Sequence, residues 1–100
     1  MFAADGKFEN GVLTVKVDGR VDSVTADDLD KKLTELRKEY PDGEIRLDFA
    51  DLNYISSAGL RALLRLRKGE PEPVAIDNMS EAVREIFEVT GFSDLFEITD

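Results

Sequence analysis

Hydrophobic and polar residues alternate with a period of two in two segments of the chain. The apolar members of these segments are Leu13, Val15, Val17, Ile45, Leu47 and Phe49. This period is typical of strands with one buried face. The turn signal Asn10-Gly11 precedes the first segment and predicts a β-hairpin whose other strand contains Phe8. Residues 74–76 form a short apolar run, which predicts a further strand.

Apolar residues recur at helical spacing in three other segments. They are Leu29, Leu33, Leu36 and Tyr40, then Leu60, Leu63 and Leu64, and last Val83, Ile86 and Phe87, whose helix face also includes Thr90. Thr25 with Asp28 resembles a capping box at the start of the first predicted helix. The second helix is predicted to begin at about Ser57, and either Asn78 or Ser80 caps the third.

The predicted elements follow one another as a β-hairpin, a helix, a strand, a helix, a strand, a helix and a tail. This order predicts an α/β fold with a single mixed β-sheet of about four main strands and about three to four α-helices. A length of 100 residues predicts one domain, residues 1–100. Charged residues between the apolar strand positions suit a sheet with one exposed face. They are Lys16, Asp18, Arg46 and Asp48.

The charge of the chain narrows the range of partners. Acidic residues outnumber basic ones by 22 to 13, which gives a formal net charge of -9. This charge repels nucleic acids and anionic membranes and favours a partner with a basic docking face. No apolar run approaches the roughly 18 residues of a membrane span, and the first residues do not resemble a signal peptide. We therefore expect a cytoplasmic monomer that binds neither nucleic acid nor membrane.

The residue types that are absent argue against catalysis. The chain has no cysteine, which excludes thiolate chemistry and disulfides. It has no histidine either, and so lacks the usual general base and the commonest metal ligand. The lysines lie in charged stretches that do not suit a serine–lysine pair, and no glycine-rich phosphate loop is present. We expect no enzyme, no cofactor and no metal site. Tryptophan and glutamine are also absent, and so restricted an alphabet fits either a natural or an engineered origin.

Ser56 and Ser57 place two hydroxyl groups where a strand gives way to a helix. The free N–H groups and partial positive charge of a helix start suit a phosphate. A serine at this position is most often an N-cap and nothing more, but one hydroxyl is enough to cap. Gly59 in the first turn costs about 1 kcal/mol relative to alanine. It serves either close approach by a ligand or backbone, or tight packing beneath a strand.

Three segments carry motifs in the order found in one known family. Residues 51–64 read Asp-Leu-Asn-Tyr-Ile-Ser-Ser-Ala-Gly-Leu-Arg-Ala-Leu-Leu. Residues 19–26 read Gly-Arg-Val-Asp-Ser-Val-Thr-Ala, and residues 87–96 read Phe-Glu-Val-Thr-Gly-Phe-Ser-Asp-Leu-Phe. The first is similar to the phosphorylation motif of the STAS family, the anti-sigma factor antagonists. The second resembles that family's Gly-x-Leu-Asp-x-x-Thr-Ala stretch, and the third its C-terminal helix and tail.

The resemblance implies a phosphorylation site. The usual family motif is Asp-Ser-Ser/Thr-Gly-Leu, in which the serine after the aspartate is phosphorylated. When the motif is aligned on Gly59, Ser56 replaces the aspartate and Ser57 is the acceptor, with Ser56 as the alternative. By the same resemblance, Asp22 lies beside the acceptor and orients its hydroxyl or repels the phosphate, unless it is only a turn residue. Asp51 is expected to cap the turn after the preceding strand.

The function implied by the resemblance is that of an anti-sigma factor antagonist. The unphosphorylated chain would bind an anti-sigma factor with serine kinase activity, phosphorylation of Ser57 would release it, and a serine phosphatase would reset the switch. The implied partner-binding residues are Asp22, Ser56, Ala58, Gly59 and Arg61. Two alternatives remain open, a stand-alone STAS module that binds a nucleotide or another small ligand, and an engineered STAS scaffold without a partner.

Overall fold

A computed structural model of the chain describes residues 1–99 and shows a mixed β-sheet with three α-helices. The strands are β1 (Phe2–Glu9), β2 (Val12–Val21), β3 (Glu44–Asp48), β4 (Leu52–Ile55), β5 (Ala75–Asp77) and β6 (Glu97–Ile98). The helices are α1 (Thr25–Glu39), α2 (Ser57–Lys68) and α3 (Glu81–Thr90), followed by a 3-10 turn at Phe92–Asp94. The predicted α/β class and single mixed sheet are confirmed, whereas the strand count of about four was wrong and is six.

The strand pairing brings the ends of β2 and β4 together. The sheet has the order β1-β2-β3-β5-β6, with β4 also paired to β2. The hairpin β1–β2 is antiparallel and the other pairs are parallel. Because β1 pairs along one edge of β2, strands β3 and β4 share the other edge, at residues 12–16 and 19–21 of β2. Strand β4 therefore extends the sheet beyond the end of β3.

The strands that the sequence did not predict lack the period of two. In β4 the terminal Leu52 and Ile55 are buried, while Asn53 and Tyr54 between them are exposed. Strand β6 has only two residues. These segments become strands because they pair with neighbours, so the local pattern could not reveal them.

The core lies between the helices and one face of the sheet. The alternating apolar residues of β2 and β3, with Phe49 after β3, are buried in one cluster with residues from all three helices. The larger helix members of this cluster are Leu29, Leu33, Leu36, Leu60, Leu63, Val83 and Phe87. Lys16 on the opposite face is exposed, and Asp18, Arg46 and Asp48 are half-buried. The prediction of a sheet with one polar, partly exposed face is confirmed.

The start and end of α3 follow the local sequence. The Ser80 hydroxyl accepts a hydrogen bond from the Val83 N–H at 3.2 Å, so Ser80 is the N-cap. Asn78, the alternative cap, instead has a left-handed backbone (φ 61°), and its amide donates to Asp48 Oδ1 at 3.1 Å. Gly91 closes the helix at φ 80°, a conformation that costs glycine little.

We predict that Phe87→Ala lowers the free energy of unfolding by about 3–5 kcal/mol, because truncation leaves a cavity in the core. Phe87 is fully buried, and its ring centroid lies 5.9 Å from that of Phe96 and 6.3 Å from that of Phe49. Urea denaturation measures the change. Phe8→Ala is the control, since Phe8 is partly exposed and its loss should be smaller. Equal losses for the two variants would contradict the prediction.

Candidate functional site

The two serines occupy different positions in the turn between β4 and α2. Ser56 is the N-cap residue, with φ -86° and ψ 172°, and its Oγ accepts a hydrogen bond from the Gly59 N–H at 3.2 Å. Ser57 is the first residue of α2, and its side chain is exposed. Within residues 1–99, the hydrogen bonds of this turn engage the hydroxyl of Ser56 and not that of Ser57. One serine caps the helix, and the other presents its hydroxyl to solvent.

Backbone hydrogen bonds hold this turn against the end of β2. The Ser56 N–H donates to the Val21 carbonyl at 2.7 Å, and the Leu60 N–H donates to the Ser56 carbonyl at 2.9 Å. Ile55 lies opposite Val21 in the parallel pairing. The residues that follow β2 and β4 therefore lie side by side. This places Asp22, which comes directly after Val21, in the loop next to the two serines.

Gly59 allows α2 to approach the sheet closely. It is buried, and a Cβ atom at this position would lie 2.6 Å from Val21 Cγ1 and 2.7 Å from Ile55 Cγ1. Both separations are shorter than side-chain atoms tolerate, so a larger residue would displace the helix or the strands. Of the two interpretations given to Gly59, this geometry supports tight packing against a strand. Its part in partner binding stays a prediction.

The other predicted binding residues surround the same turn. Arg61 is exposed on α2, while Ser56, Ala58 and Asp22 are half-buried. Leu60 points into the core, as its spacing predicts. The accessible part of the candidate site therefore consists of the first two turns of α2 and the loop after β2.

Asp51 does not cap the turn after β3, so that prediction was wrong. Its Oδ2 accepts a hydrogen bond from Lys16 Nζ at 2.6 Å. This hydrogen bond, together with the charge of Asp18, raises the pKa of Lys16. The capping role belongs to Asp48, whose Oδ1 accepts from the Ala50 N–H at 3.0 Å. Asp51 instead belongs to the charged network on the open face of the sheet.

A capping box formed by Asp22 and Thr25 starts helix α1. The Asp22 N–H donates to Thr25 Oγ1 at 2.9 Å, and the Thr25 N–H donates back to Asp22 Oδ1 at 2.9 Å. The Val24 N–H donates to the same Oδ1 at 3.0 Å. The capping box predicted for Thr25 and Asp28 was therefore wrong, and the observed box lies three residues earlier in the chain. The aspartate three positions before a threonine was the signal that could have located it.

The carboxylate of Asp22 is stabilised in its charged form. The hydrogen bond from the Thr25 N–H lowers the pKa of Asp22, opposed in part by desolvation. The Thr25 hydroxyl, the Val24 N–H and the nearby charge of Arg20 lower it further. The loop beside the serines thus carries a fixed negative charge at neutral pH.

Arg20 and Tyr54 form a pair that the sequence analysis missed. They lie opposite each other in the pairing of β2 and β4, and the Arg20 guanidinium carbon is 4.6 Å from the centroid of the Tyr54 ring. This distance is typical of a cation–π contact. Each residue stands two positions before a site residue, Asp22 and Ser56 respectively. That common spacing is the only local signal for the pair.

Two clefts of the protein lie away from the serine turn. One, of about 430 Å³, lies beside β3 and β5 and includes Arg37, Arg46 and Glu97. Another of about 430 Å³ lies between α1 and α2 and includes Leu33 and Arg65. Within residues 1–99, no group of three or more acidic side chains is placed to hold a metal ion. Among the helices of residues 1–99, none combines the length and the hydrophobicity that a membrane span requires.

Comparison with known proteins places the fold and the turn in a family. A mixed sheet with one exposed face and a serine turn at the start of a helix define a small α/β domain of STAS type. The family described as Mlab, STAS domain matches residues 5–98. A protein of Bordetella bronchiseptica, provisionally named the anti-sigma factor antagonist BtrV, is 37% identical over 97 residues, which cover 91% of this chain and 80% of that protein. The chain belongs to the STAS domain family.

Solved structures show the same fold. An anti-sigma factor antagonist from Mycobacterium paratuberculosis is similar with a TM-score of 0.87 and 21% identity, over 98% of this chain and 85% of that one. The Bacillus cell fate determinant SpoIIAA, in its phosphorylated form, is similar with a TM-score of 0.67 and 16% identity, over 100% and 92% of the two chains. At sequence identities of 21% and 16%, the structural similarity establishes a shared fold.

We predict that Gly59→Ala lowers the free energy of unfolding by about 1–3 kcal/mol, as overpacking does in other cores. The clash with Val21 and Ile55 outweighs the gain in helix propensity of about 1 kcal/mol. Gly69→Ala at the end of α2 is the matched control, because a Cβ atom there meets its nearest neighbour at 3.6 Å. Urea denaturation of both variants tests this, and a stabilised Gly59→Ala would contradict it.

We predict that Asp22→Asn flattens the acid limb of the stability curve. Because the pKa of Asp22 is lowered in the folded state, its stabilising contribution is present above the unfolded pKa of about 3.9. It is lost as the pH falls through the lower folded value. The stability difference between wild type and variant should therefore shrink below about pH 4. Urea denaturation between neutral and acidic pH measures it, and two parallel curves would count against the prediction.

Proposed function

We propose that this chain is an anti-sigma factor antagonist that is switched by phosphorylation of Ser57. In its unphosphorylated form it binds an anti-sigma factor that has serine kinase activity, and it works as a monomer in the cytoplasm. The chain is the substrate of that kinase and is not itself an enzyme. The observation that carries this proposal is the exposed Ser57 hydroxyl at the helix start, beside a second serine that already serves as the cap.

The fold is suited to accept a phosphate at Ser57. A phosphate adds about -1.5 to -2 charge and three acceptor oxygens. At the start of α2 it meets the N–H groups and positive end of the helix, an effect of about 0.3–1 kcal/mol in favour of an anion. The phosphorylated form of SpoIIAA has the same fold at a TM-score of 0.67. Phosphorylation should therefore leave the domain folded.

The phosphate lowers the affinity for the partner. A surface that binds a neutral hydroxyl loses affinity when it must desolvate or repel a doubly charged group. Each tenfold change in affinity requires only about 1.4 kcal/mol. Asp22 reinforces this effect, because its carboxylate is held charged in the neighbouring loop. A serine phosphatase then restores the binding form.

The residues around Ser57 form the partner surface in this proposal. Ala58 and the backbone at Ser56 lie beside the acceptor, and the exposed Arg61 lies one helical turn further along α2. Arg61 pairs with an acidic group of the partner. Gly59 contributes by setting the position of the helix, since it faces Val21 and Ile55.

A regulated surface is favoured over a nucleotide-binding pocket by the position of the clefts. The two clefts described above are lined by residues of α1, the second half of α2, β3, β5, β6 and the segment after α2. Neither includes a residue of the turn between β4 and α2. The exposed position of Ser57 at the start of α2 suits a protein partner that covers this surface.

The test is the intact mass of the chain after incubation with ATP and the serine-kinase anti-sigma factor of the same organism. We expect one added phosphoryl group on the wild type and on Ser56→Ala, and none on Ser57→Ala. Ser56→Ala should also lose about 1 kcal/mol of stability as its cap is removed. Ser23→Ala, which removes an exposed serine from the neighbouring loop, is the control and should accept the phosphate.

Each other outcome revises the proposal in a definite way. Loss of the phosphoryl group only in Ser56→Ala would keep the switch and move the acceptor. A kinase that binds the chain without modifying it would remove phosphorylation from the mechanism. Stabilisation of the chain against heat by a nucleotide, without any kinase, would support the ligand-binding alternative.

A further inference from the structure

Val24 is an apolar side chain displayed at the same end of the sheet as Ser57. It lies in the loop between β2 and α1, and its exposed fraction is 76%. The loop follows Val21, whose carbonyl accepts the hydrogen bond from Ser56. The loop with Val24 and the turn with Ser57 are therefore neighbours on one surface.

Hydrogen bonds in the loop hold the backbone of Val24. Its backbone is helical, with φ -80° and ψ -48°, and its N–H donates to Asp22 Oδ1 at 3.0 Å. Thr25, the next residue, completes the reciprocal capping box with Asp22. A loop whose backbone is ordered before binding loses little conformational freedom when a partner covers it. This arrangement suits an anchor residue better than a flexible loop would.

The charges next to Val24 define the chemistry of a matching partner. Asp27 and Asp28 are exposed in the first turn of α1. The whole chain has a net charge of -9. A complementary surface therefore combines an apolar pocket for the valine with basic groups at its rim.

We propose that Val24 is the apolar anchor of the partner interface and inserts into a hydrophobic pocket with a basic rim on the anti-sigma factor. The inference rests on the proposed function and adds a residue that determines affinity. Val24 then works together with Ser57, the anchor supplying affinity and the serine controlling it. The phosphate on Ser57 weakens binding at the same interface that Val24 anchors.

A second exposed valine supplies the matched control. Val89 is 79% exposed near the end of α3. Because β5 and β6 are parallel, the chain must return from the C-terminal end of β5 to the opposite end of the sheet, where β6 begins. Helix α3 runs in that direction. Val89 thus lies toward the opposite end of the molecule from Ser57. It matches Val24 in residue type and exposure but not in location.

The experiment measures the Kd between the purified chain and the anti-sigma kinase that phosphorylates it, using Val24→Ala, Val24→Thr and Val89→Ala. Val24→Ala should weaken binding about tenfold, as expected for two lost methyl contacts. Val24→Thr, nearly isosteric but polar, should also weaken it, and Val89→Ala should match the wild type. In steady-state phosphorylation, the Val24 variants should raise KM for this chain and leave kcat unchanged.

The outcomes separate this inference from the proposed function. If the wild type is bound and phosphorylated but both Val24 variants behave like it, the anchor is overturned and the switch stands. A wild type that is neither bound nor phosphorylated overturns both. An equal loss in Val89→Ala would show that the effect is not local and would also overturn the anchor. Thermal denaturation should give the same midpoint for Val24→Ala and wild type, because the valine is exposed.

Discussion

The contact between helix α2 and the ends of strands β2 and β4 determines the geometry of the site. Gly59 makes this contact possible, because the space that its Cβ would need is filled by Val21 and Ile55. With the helix seated so closely, the Ser56 N–H reaches the Val21 carbonyl at 2.7 Å. The exposed position of Ser57 follows from that docking. A residue hidden in the core thus decides where the accessible hydroxyl stands.

Asp22 has a comparable influence on the neighbouring loop. Its carboxylate accepts hydrogen bonds from two backbone N–H groups, those of Val24 and Thr25, and so both starts helix α1 and holds the loop. The same contacts keep the carboxylate charged. One side chain therefore links the stability of the helix to the electrostatics of the surface beside Ser57. In the proposed switch, this charge acts in the same direction as the phosphate.

The local pattern predicted the elements that have a strong period of their own. Strands β2 and β3 and all three helices were found because their apolar residues recur on one face. Strand β4 was missed because Leu52 and Ile55 are buried with two exposed residues between them. That pattern follows from its place beside the end of β2, where the register shifts between Gly19 and Arg20. The capping box of α1 was predicted at the wrong position because a threonine can be either the first or the second residue of such a motif, and Thr25 is the second.

The sequence alone determined the α/β class, the turn with two serines and the acidic surface. These depend on periodicity, composition and motifs, which are local properties of the chain. Only the tertiary structure decided which serine caps α2 and which is exposed, and that Gly59 faces Val21 and Ile55. It also decided that the loop carrying Val24 lies beside Ser57. These features depend on the pairing of β2 with β4, and contacts between segments more than 30 residues apart leave no mark on the local pattern of either.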